Sequence, residues 1–186
     1  MARRNNQYLP RLNIFAWILI PPVQNLKYGC FPNQLFLYFF GKGFKVTGID
    51  FSEEMIKFSR EKVSGAEFFV KDIFEPLNFD VMFDGVFAQA VLLHVPKKEV
   101  LGVIKNIITP LKPDGYFYVA VKQATPGEPD EQIIKESDYG FEYERFFSLF
   151  TLEEMENYLK QVGMEIVYKD IVSSGKTNWI QLIAKK

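Results

Sequence analysis

Short apolar runs alternate with amphipathic segments along most of the chain. Runs rich in β-branched and aromatic residues predict strands, whereas apolar positions three and four apart predict helices. From residue 29 onward, the alternation of the two patterns is typical of a parallel sheet covered by helices. Strands are predicted over residues 44–49, 67–70, 81–88, 116–122, 166–171 and 179–184, and helices over residues 53–63, 97–108 and 152–162.

Local signals mark the ends of two of these helices. Ser52 precedes the first helix and is predicted to accept a hydrogen bond from its first turn, where two glutamates follow. Thr151 and Glu154 have the spacing of a capping box before the last helix, and Gly163 is predicted to end that helix.

The last two predicted strands are joined through Ser173, Ser174 and Gly175. Such a short polar connection favours an antiparallel hairpin. The predicted fold is therefore α/β, with a Rossmann-like sheet of about seven strands that is mostly parallel and carries an antiparallel hairpin at its C-terminal end.

Two further segments need separate interpretation. The apolar run at residues 14–20 follows three arginines, as in a signal peptide, but it is shorter than the roughly 18 residues of a membrane span, and Pro21 and Pro22 end it. We interpret it as a buried helix or strand at the edge of the domain. Residues 128–130 are interpreted as a solvated loop and residues 131–138 as an exposed helix.

Length and composition narrow the class of protein. With 186 residues and 48% hydrophobic positions, one globular domain covering residues 1–186 is expected, with residues 1–25 as an atypical N-terminal segment. The net charge of −1 and the absence of a basic stripe argue against nucleic-acid and membrane partners. Cys30 is the only cysteine, which excludes an intrachain disulfide and a cysteine metal cluster and favours the cytoplasm. No metal site is predicted.

Three spaced motifs resemble those of class I S-adenosylmethionine-dependent methyltransferases. Residues 43–52, GFKVTGIDFS, look like the second motif, and residues 83–96, FDGVFAQAVLLHVP, look like the fourth. Residues 111–118, LKPDGYFY, resemble the turn into the fifth strand, which the family usually writes Leu-Lys-Pro-Gly-Gly. The motifs stand in the family's order, and the terminal hairpin fits the same family. A dehydrogenase of related topology is disfavoured by that hairpin and by the missing Gly-x-Gly-x-x-Gly.

Asp50 can be singled out on physical grounds as well. It ends a predicted strand 21 positions after Gly29, the spacing at which a carboxylate accepts hydrogen bonds from both ribose hydroxyls of a nucleoside. The alternative interpretation is a solvated turn carboxylate or a helix cap, which Ser52 would make redundant. The resemblance implies S-adenosylmethionine as the cofactor and the following cofactor-binding residues: Gly29, Cys30, Asp50, Phe51, Asp72, Ile73, Ala88 and Gln89.

The resemblance also implies individual roles. Asp72 corresponds to the acid that binds adenine, with Ile73 beside the purine ring, and the small side chain of Ala88 permits close approach of a ligand. His94 and Arg145 are implied to face the methyl acceptor. We expect His94 to pack or to form a hydrogen bond near the cleft rather than to take a proton, and no catalytic base is assigned. Arg145 is either a clamp for a carboxylate or a solvated surface residue.

The first motif departs from the family pattern. Counted back from Gly43, residues 26–33 read LKYGCFPN where the family has Leu-Asp-Leu-Gly-Cys-Gly-Pro-Gly. Lys27 replaces an acid that attracts the positively charged cofactor, and Phe31 and Asn33 add side chains where glycine lets the backbone approach the ligand. Two hypotheses follow: a methyltransferase acting on a small molecule, or a noncatalytic relative that binds a nucleoside weakly or serves as a partner subunit.

Overall fold

The computed structural model describes residues 13–17, 41–136 and 142–186, which contain nine strands, three α-helices and one 3₁₀ helix. The elements in chain order are β1 Asn13–Trp17, β2 Lys45–Asp50, α1 Glu53–Lys62, β3 Glu67–Val70, β4 Phe83–Gln89, the 3₁₀ helix Leu92–His94, α2 Lys97–Ile108, β5 Leu111–Lys122, β6 Glu131–Glu136, β7 Tyr143–Ser148, α3 Leu152–Gln161, β8 Glu165–Ser174 and β9 Thr177–Lys185.

Seven strands form one sheet in the order β3-β2-β1-β4-β5-β9-β8. The neighbours from β3 to β5 pair in parallel, whereas β9 is antiparallel to both β5 and β8. The predicted terminal hairpin is thereby confirmed, and so is the mostly parallel α/β fold. Gly175, with φ of 61°, supplies the left-handed backbone of the tight turn between β8 and β9.

The N-terminal strand corrects one prediction. Residues Asn13–Trp17 form a strand, but β1 lies in the middle of the sheet rather than at the edge of the domain. Its register joins Ile14 to Val46 on one side and to Gly85 on the other. Isoleucine, phenylalanine and tryptophan favour extended backbone, and parallel pairing on both sides requires a strand that is surrounded by others.

Helices cover both faces of the sheet. On one face, α1 packs against β2 and β3 through Met55, Ile56, Val46 and Phe68. On the other face, α2 and α3 cover β4, β5 and β9, and the largest core cluster lies between them. Strand residues alternate between the two clusters, as Val86 and Phe87 show. The carboxyl ends of the parallel strands lie at one edge of the sheet, between these two layers of helices.

A second correction concerns the residues predicted as an exposed helix. Residues Glu131–Glu136 form strand β6, which pairs with β7 in a separate antiparallel ribbon. Ile134 packs against a small apolar cluster that includes Phe147, while Ile133 on the opposite face is 67% exposed. Pairing with β7 therefore overrides the helix propensity of the glutamates and lysine in this segment.

The predicted caps are confirmed. Ser52 Oγ accepts a hydrogen bond from the Met55 N–H at 3.3 Å. Thr151 and Glu154 form the reciprocal capping box, with distances of 2.7 and 3.1 Å. Asp114, which stands where the family has glycine, has φ of 63°, so this turn requires the left-handed conformation. Within residues 13–17, 41–136 and 142–186, no helix is long and apolar enough to cross a membrane.

Candidate functional site

The carboxyl ends of β2, β3, β4 and β5 meet at one edge of the sheet. Asp50 is the last residue of β2 and pairs with Val70, the last residue of β3. Gln89 ends β4 and pairs with Ala120, two residues before the end of β5. In open α/β sheets, ligands bind at this edge. The structure thus places Asp50 and Gln89, both predicted to bind the cofactor, at the same carboxyl edge of the sheet.

Asp50 has a buried carboxylate with an observed role in the turn after β2, while its role in binding ribose stays a prediction. The residue is only 3% exposed, and its Oδ1 accepts a hydrogen bond from the Ser52 N–H at 2.8 Å. One oxygen therefore stabilises the turn into α1, while Ser52 performs the capping of the helix. Phe51, the next residue, is 67% exposed, and its role in binding the cofactor stays a prediction.

Asp72 follows β3 and lies close to the end of β2. The Lys71 N–H donates to the Asp50 carbonyl at 3.0 Å, which extends the pairing of the two strands by one residue. Asp72 Oδ1 accepts from the Phe74 N–H at 2.9 Å and so fixes the loop. Ile73 is 8% exposed within the main core, and its carbonyl accepts from Asn106 of α2. The adenine-binding roles of Asp72 and Ile73 stay predictions.

The end of β4 is shaped by a tight backbone turn. Ala88 is fully buried, whereas Gln89 is exposed at the edge of the sheet. Ala90 has φ of 57°, and its N–H donates to the Ala120 carbonyl at 2.9 Å. This turn directs the chain into the 3₁₀ helix that carries His94. Gly29 and Cys30, together with Lys27, Phe31 and Asn33, lie outside the described residues.

His94 and Arg145 come together beside this edge. The His94 Nδ1–H donates to the Phe146 carbonyl at 2.9 Å, and its ring lies 5.0 Å from the Phe147 ring. The adjacent Arg145 lies on Tyr143, to whose hydroxyl it donates at 2.7 Å. His94 therefore packs and bonds as expected, and Arg145 is half-buried rather than fully solvated.

Lys122 belongs to the same cluster as His94 and Arg145, but the sequence analysis did not identify Lys122. It ends β5, and its Nζ lies 4.0 Å from the centroid of the Phe147 ring. The only local signal is a cation as the last residue of a predicted strand, at the edge where ligands bind. Lys122 lies near Arg145 because of the β6–β7 ribbon, which was not predicted from the sequence.

A group of polar contacts around Lys97, here called the polar node, holds the β6–β7 ribbon against the seven-stranded sheet and its helices. Lys97 at the start of α2 contacts Asp130 and, at 2.7 Å, Glu154, while its N–H donates to Glu131 Oε1 at 2.7 Å. Burial disfavours the ammonium, but hydrogen bonds to Asp130 and Glu154 outweigh that effect and raise the pKa of Lys97. Ser148 adds a buried hydrogen bond to the Val95 carbonyl. The node therefore positions β7 above His94.

Burial controls the charge state of His94. It lowers the pKa of the imidazole to about 4, the Phe146 carbonyl opposes that change, and the positive charges of Arg145 and Lys122 lower the pKa further. The ring is therefore neutral at physiological pH, with its proton on Nδ1 and with Nε2 as an acceptor. Such a weak base fits a packing or hydrogen-bonding role.

We expect the neutral state of His94 to make stability pH-dependent. The folded pKa of about 4 lies below the unfolded value of 6.5, so the contribution is complete above the unfolded value and is lost as pH falls towards the folded one. Between about pH 7.5 and about pH 5, the free energy of unfolding should fall by about 1–2 kcal/mol more in the wild type than in His94→Gln. Urea denaturation of both proteins at the two pH values tests this. Equal losses would contradict a desolvated His94.

Comparison with known sequences adds a family. The sequence profile described as "Methyltransferase domain" matches residues 26–119, just over half of the 186 residues. The Bacillus subtilis (strain 168) protein described as "Putative methyltransferase YqeM" is 28% identical over an alignment 180 positions long, which covers 76% of this chain and 73% of that protein. Phosphoethanolamine N-methyltransferase 1 of Zea mays is 26% identical over 190 residues, which cover 100% of this chain but 35% of the maize enzyme.

Solved structures share the fold. An S-adenosylmethionine-dependent methyltransferase from Methanosarcina mazei superposes with a TM-score of 0.76 at 24% identity, covering 96% of this chain and 94% of that one. The 1,6-didemethyltoxoflavin-N1-methyltransferase of Burkholderia thailandensis, solved with its acceptor and S-adenosylhomocysteine, gives a TM-score of 0.67 at 18% identity. The superposition covers 94% of this chain and 71% of that enzyme.

Proposed function

We propose that this chain, which belongs to the class I S-adenosylmethionine-dependent methyltransferase family, transfers a methyl group from S-adenosylmethionine to a small-molecule acceptor. The observation that carries the proposal is the strand order β3-β2-β1-β4-β5-β9-β8 with Asp50 at the carboxyl end of β2. The match of the family profile over residues 26–119 supports it independently.

The described residues suit the nucleoside part of the cofactor. Asp50 offers a carboxylate to ribose hydroxyls, exposed Phe51 offers an apolar surface, and buried Ala88 leaves room beside β4. Gly29, Cys30, Asp72, Ile73 and Gln89 complete the proposed cofactor-binding set. The first motif suits the amino-acid part of the cofactor less well, because Lys27 brings a positive charge towards a cationic ligand.

The chemistry requires orientation more than proton transfer. S-adenosylmethionine supplies an electrophilic methyl group on its sulfonium. The protein's share is to hold the acceptor in line and to exclude water, which accounts for a large part of the rate enhancement in such reactions. Neutral His94 and cationic Arg145 are the proposed acceptor-facing residues, with roles in positioning, and neither is assigned as a base.

The second candidate is a noncatalytic relative, which the substitutions at Lys27, Phe31 and Asn33 favour. Calorimetric titration of the protein with S-adenosylmethionine and, separately, with S-adenosylhomocysteine measures cofactor binding, and an assay of methyl transfer on the same samples distinguishes the two candidates. We expect weak but saturable binding of both, together with methyl transfer to an acceptor. Binding without transfer to any small acceptor would favour the noncatalytic relative. The cytoplasmic location stays a prediction.

A further inference from the structure

An open cleft of about 450 Å³ adjoins the carboxyl end of β5. It lies between the end of β5, the β6–β7 ribbon and the turn that joins β8 to β9. Lys122 lines one side, Lys176 lines the side formed by the β8–β9 turn, and Gln132 lines the side formed by the ribbon. A volume of this size is typical of small-molecule sites.

The charged residues among the described lining of the cleft are all positive. Among the described residues that line it there are two lysines and no aspartate or glutamate. The register of the ribbon brings a third cation to the same side. Arg145 pairs with Ile134, which lines the cleft, and directly paired residues point to the same face of an antiparallel pair.

Aromatic contacts hold two of these cations near each other. Lys122 Nζ lies 4.0 Å from the centroid of the Phe147 ring, and the Arg145 guanidinium carbon lies 5.8 Å from the same centroid. The ring attracts each cation through its quadrupole. Burial is the main cause of the lowered pKa of His94, and the charges of Arg145 and Lys122 lower it further, so both cations act on the same imidazole.

Neutral donors complete the lining. The Gln123 side-chain oxygen accepts from Asn178 Nδ2 at 3.1 Å, which leaves the Gln123 amide N–H groups to donate to another acceptor. The hydroxyls of Thr125 and Thr177 also line the cleft. Cations and N–H or O–H donors together are the groups that bind phosphate and carboxylate oxygens.

We infer that this cleft binds an oxyanion, the phosphate or carboxylate group of the methyl acceptor, through Lys122 and Lys176 with support from Arg145. The inference rests on the proposed function and narrows its substrate class to acidic small molecules. The maize relative is named for an acceptor of this kind, phosphoethanolamine. A position next to the carboxyl edge lets the rest of such an acceptor reach towards the end of β4.

Calorimetric titrations with inorganic phosphate, acetate and phosphoethanolamine test the inference, with sodium chloride at matched ionic strength as the blank. We expect saturable binding of phosphoethanolamine and of at least one of the two simple anions. Stronger binding of phosphate than acetate would assign a phosphomonoester, and the reverse order a carboxylate. Absence of saturable binding for all three would overturn the inference.

Variants distinguish a built site from general charge. Lys122→Met and Lys176→Met should each raise the dissociation constant of the bound anion by about tenfold, the usual effect of one charge-assisted contact. Lys135→Met removes the same charge from the opposite face of the ribbon, where Lys135 is 75% exposed beside Glu144, and should leave the constant within about twofold. Equal losses in all three variants would overturn the inference.

Two further measurements keep the test decisive. Lys122→Arg retains the cation and should bind the anion within about threefold of the wild type, which a purely structural role of Lys122 would not predict. S-adenosylhomocysteine binding is measured on the same samples. Anion binding without cofactor binding would contradict the proposed function but support the anion site. Cofactor binding without anion binding would contradict the anion site alone.

Discussion

The triple variant Lys27→Asp, Phe31→Gly, Asn33→Gly is expected to bind S-adenosylmethionine at least about 100-fold more tightly than the wild type, which corresponds to about 2.7 kcal/mol. The change replaces a repelling cation by an attracting carboxylate and removes two side chains from the surface that the ligand approaches. The three positions share one ligand surface, so each single reversion should give less than a third of the combined gain in free energy.

Calorimetry of the wild type, the triple variant and the three single variants tests this prediction. Two new glycines increase the entropy of the unfolded chain, so thermal stability is measured beside affinity. A matched control is Lys42→Asp, which makes the same change of charge at an exposed residue before β2 and should leave affinity within about threefold. If a folded triple variant bound neither the cofactor nor its demethylated product, cofactor binding would be abandoned and the fold alone retained.

In the triple background, Asp50→Ala is expected to weaken S-adenosylhomocysteine binding by about 100-fold or more. Two ribose hydroxyls that donate to one carboxylate make charge-assisted hydrogen bonds worth about 1.5–3 kcal/mol each. Asp72→Ala should cost about tenfold at most, because apolar packing can replace part of an adenine contact. The same titration measures both variants.

Asp50→Asn is the matched control for the local structure. Its side-chain oxygen can still accept from the Ser52 N–H, which holds the turn into α1. The free energy of unfolding should therefore change less in Asp50→Asn than in Asp50→Ala, while the affinity still falls because the charge is gone. If Asp72→Ala abolished binding and Asp50→Ala left it unchanged, the proposed orientation of the nucleoside would be wrong.

Elements with strong local signals could be predicted from the sequence. Strand β3 and helix α2 have the bounds that the pattern predicts, and the caps at Ser52 and Thr151 are present as expected. Capping residues and apolar periodicity act over a few positions, so they can be recognised without the fold.

Pairing between distant segments could not be predicted in the same way. Strand β6 is stable because β7 pairs with it, and the glutamates and lysine of β6 alone favour a helix. The central position of β1 likewise depends on β2 and β4, which begin 32 and 70 residues after Asn13 (45 − 13 and 83 − 13). In the candidate site, the position of Asp50 at a strand end could be predicted because it belongs to a local motif, whereas Lys122 acquires its neighbours only through the ribbon.

The position of β9 has a consequence for biosynthesis. It is the last of the described strands to leave the ribosome, yet it lies between β5 and β8. Until β9 emerges, β8 has no neighbour to pair with in this sheet, and β5 presents an unpaired edge that can recruit other nascent chains. Completion of the sheet is therefore a late event, and chaperones that shield exposed strand edges should increase the yield of folded protein more than they increase its final stability.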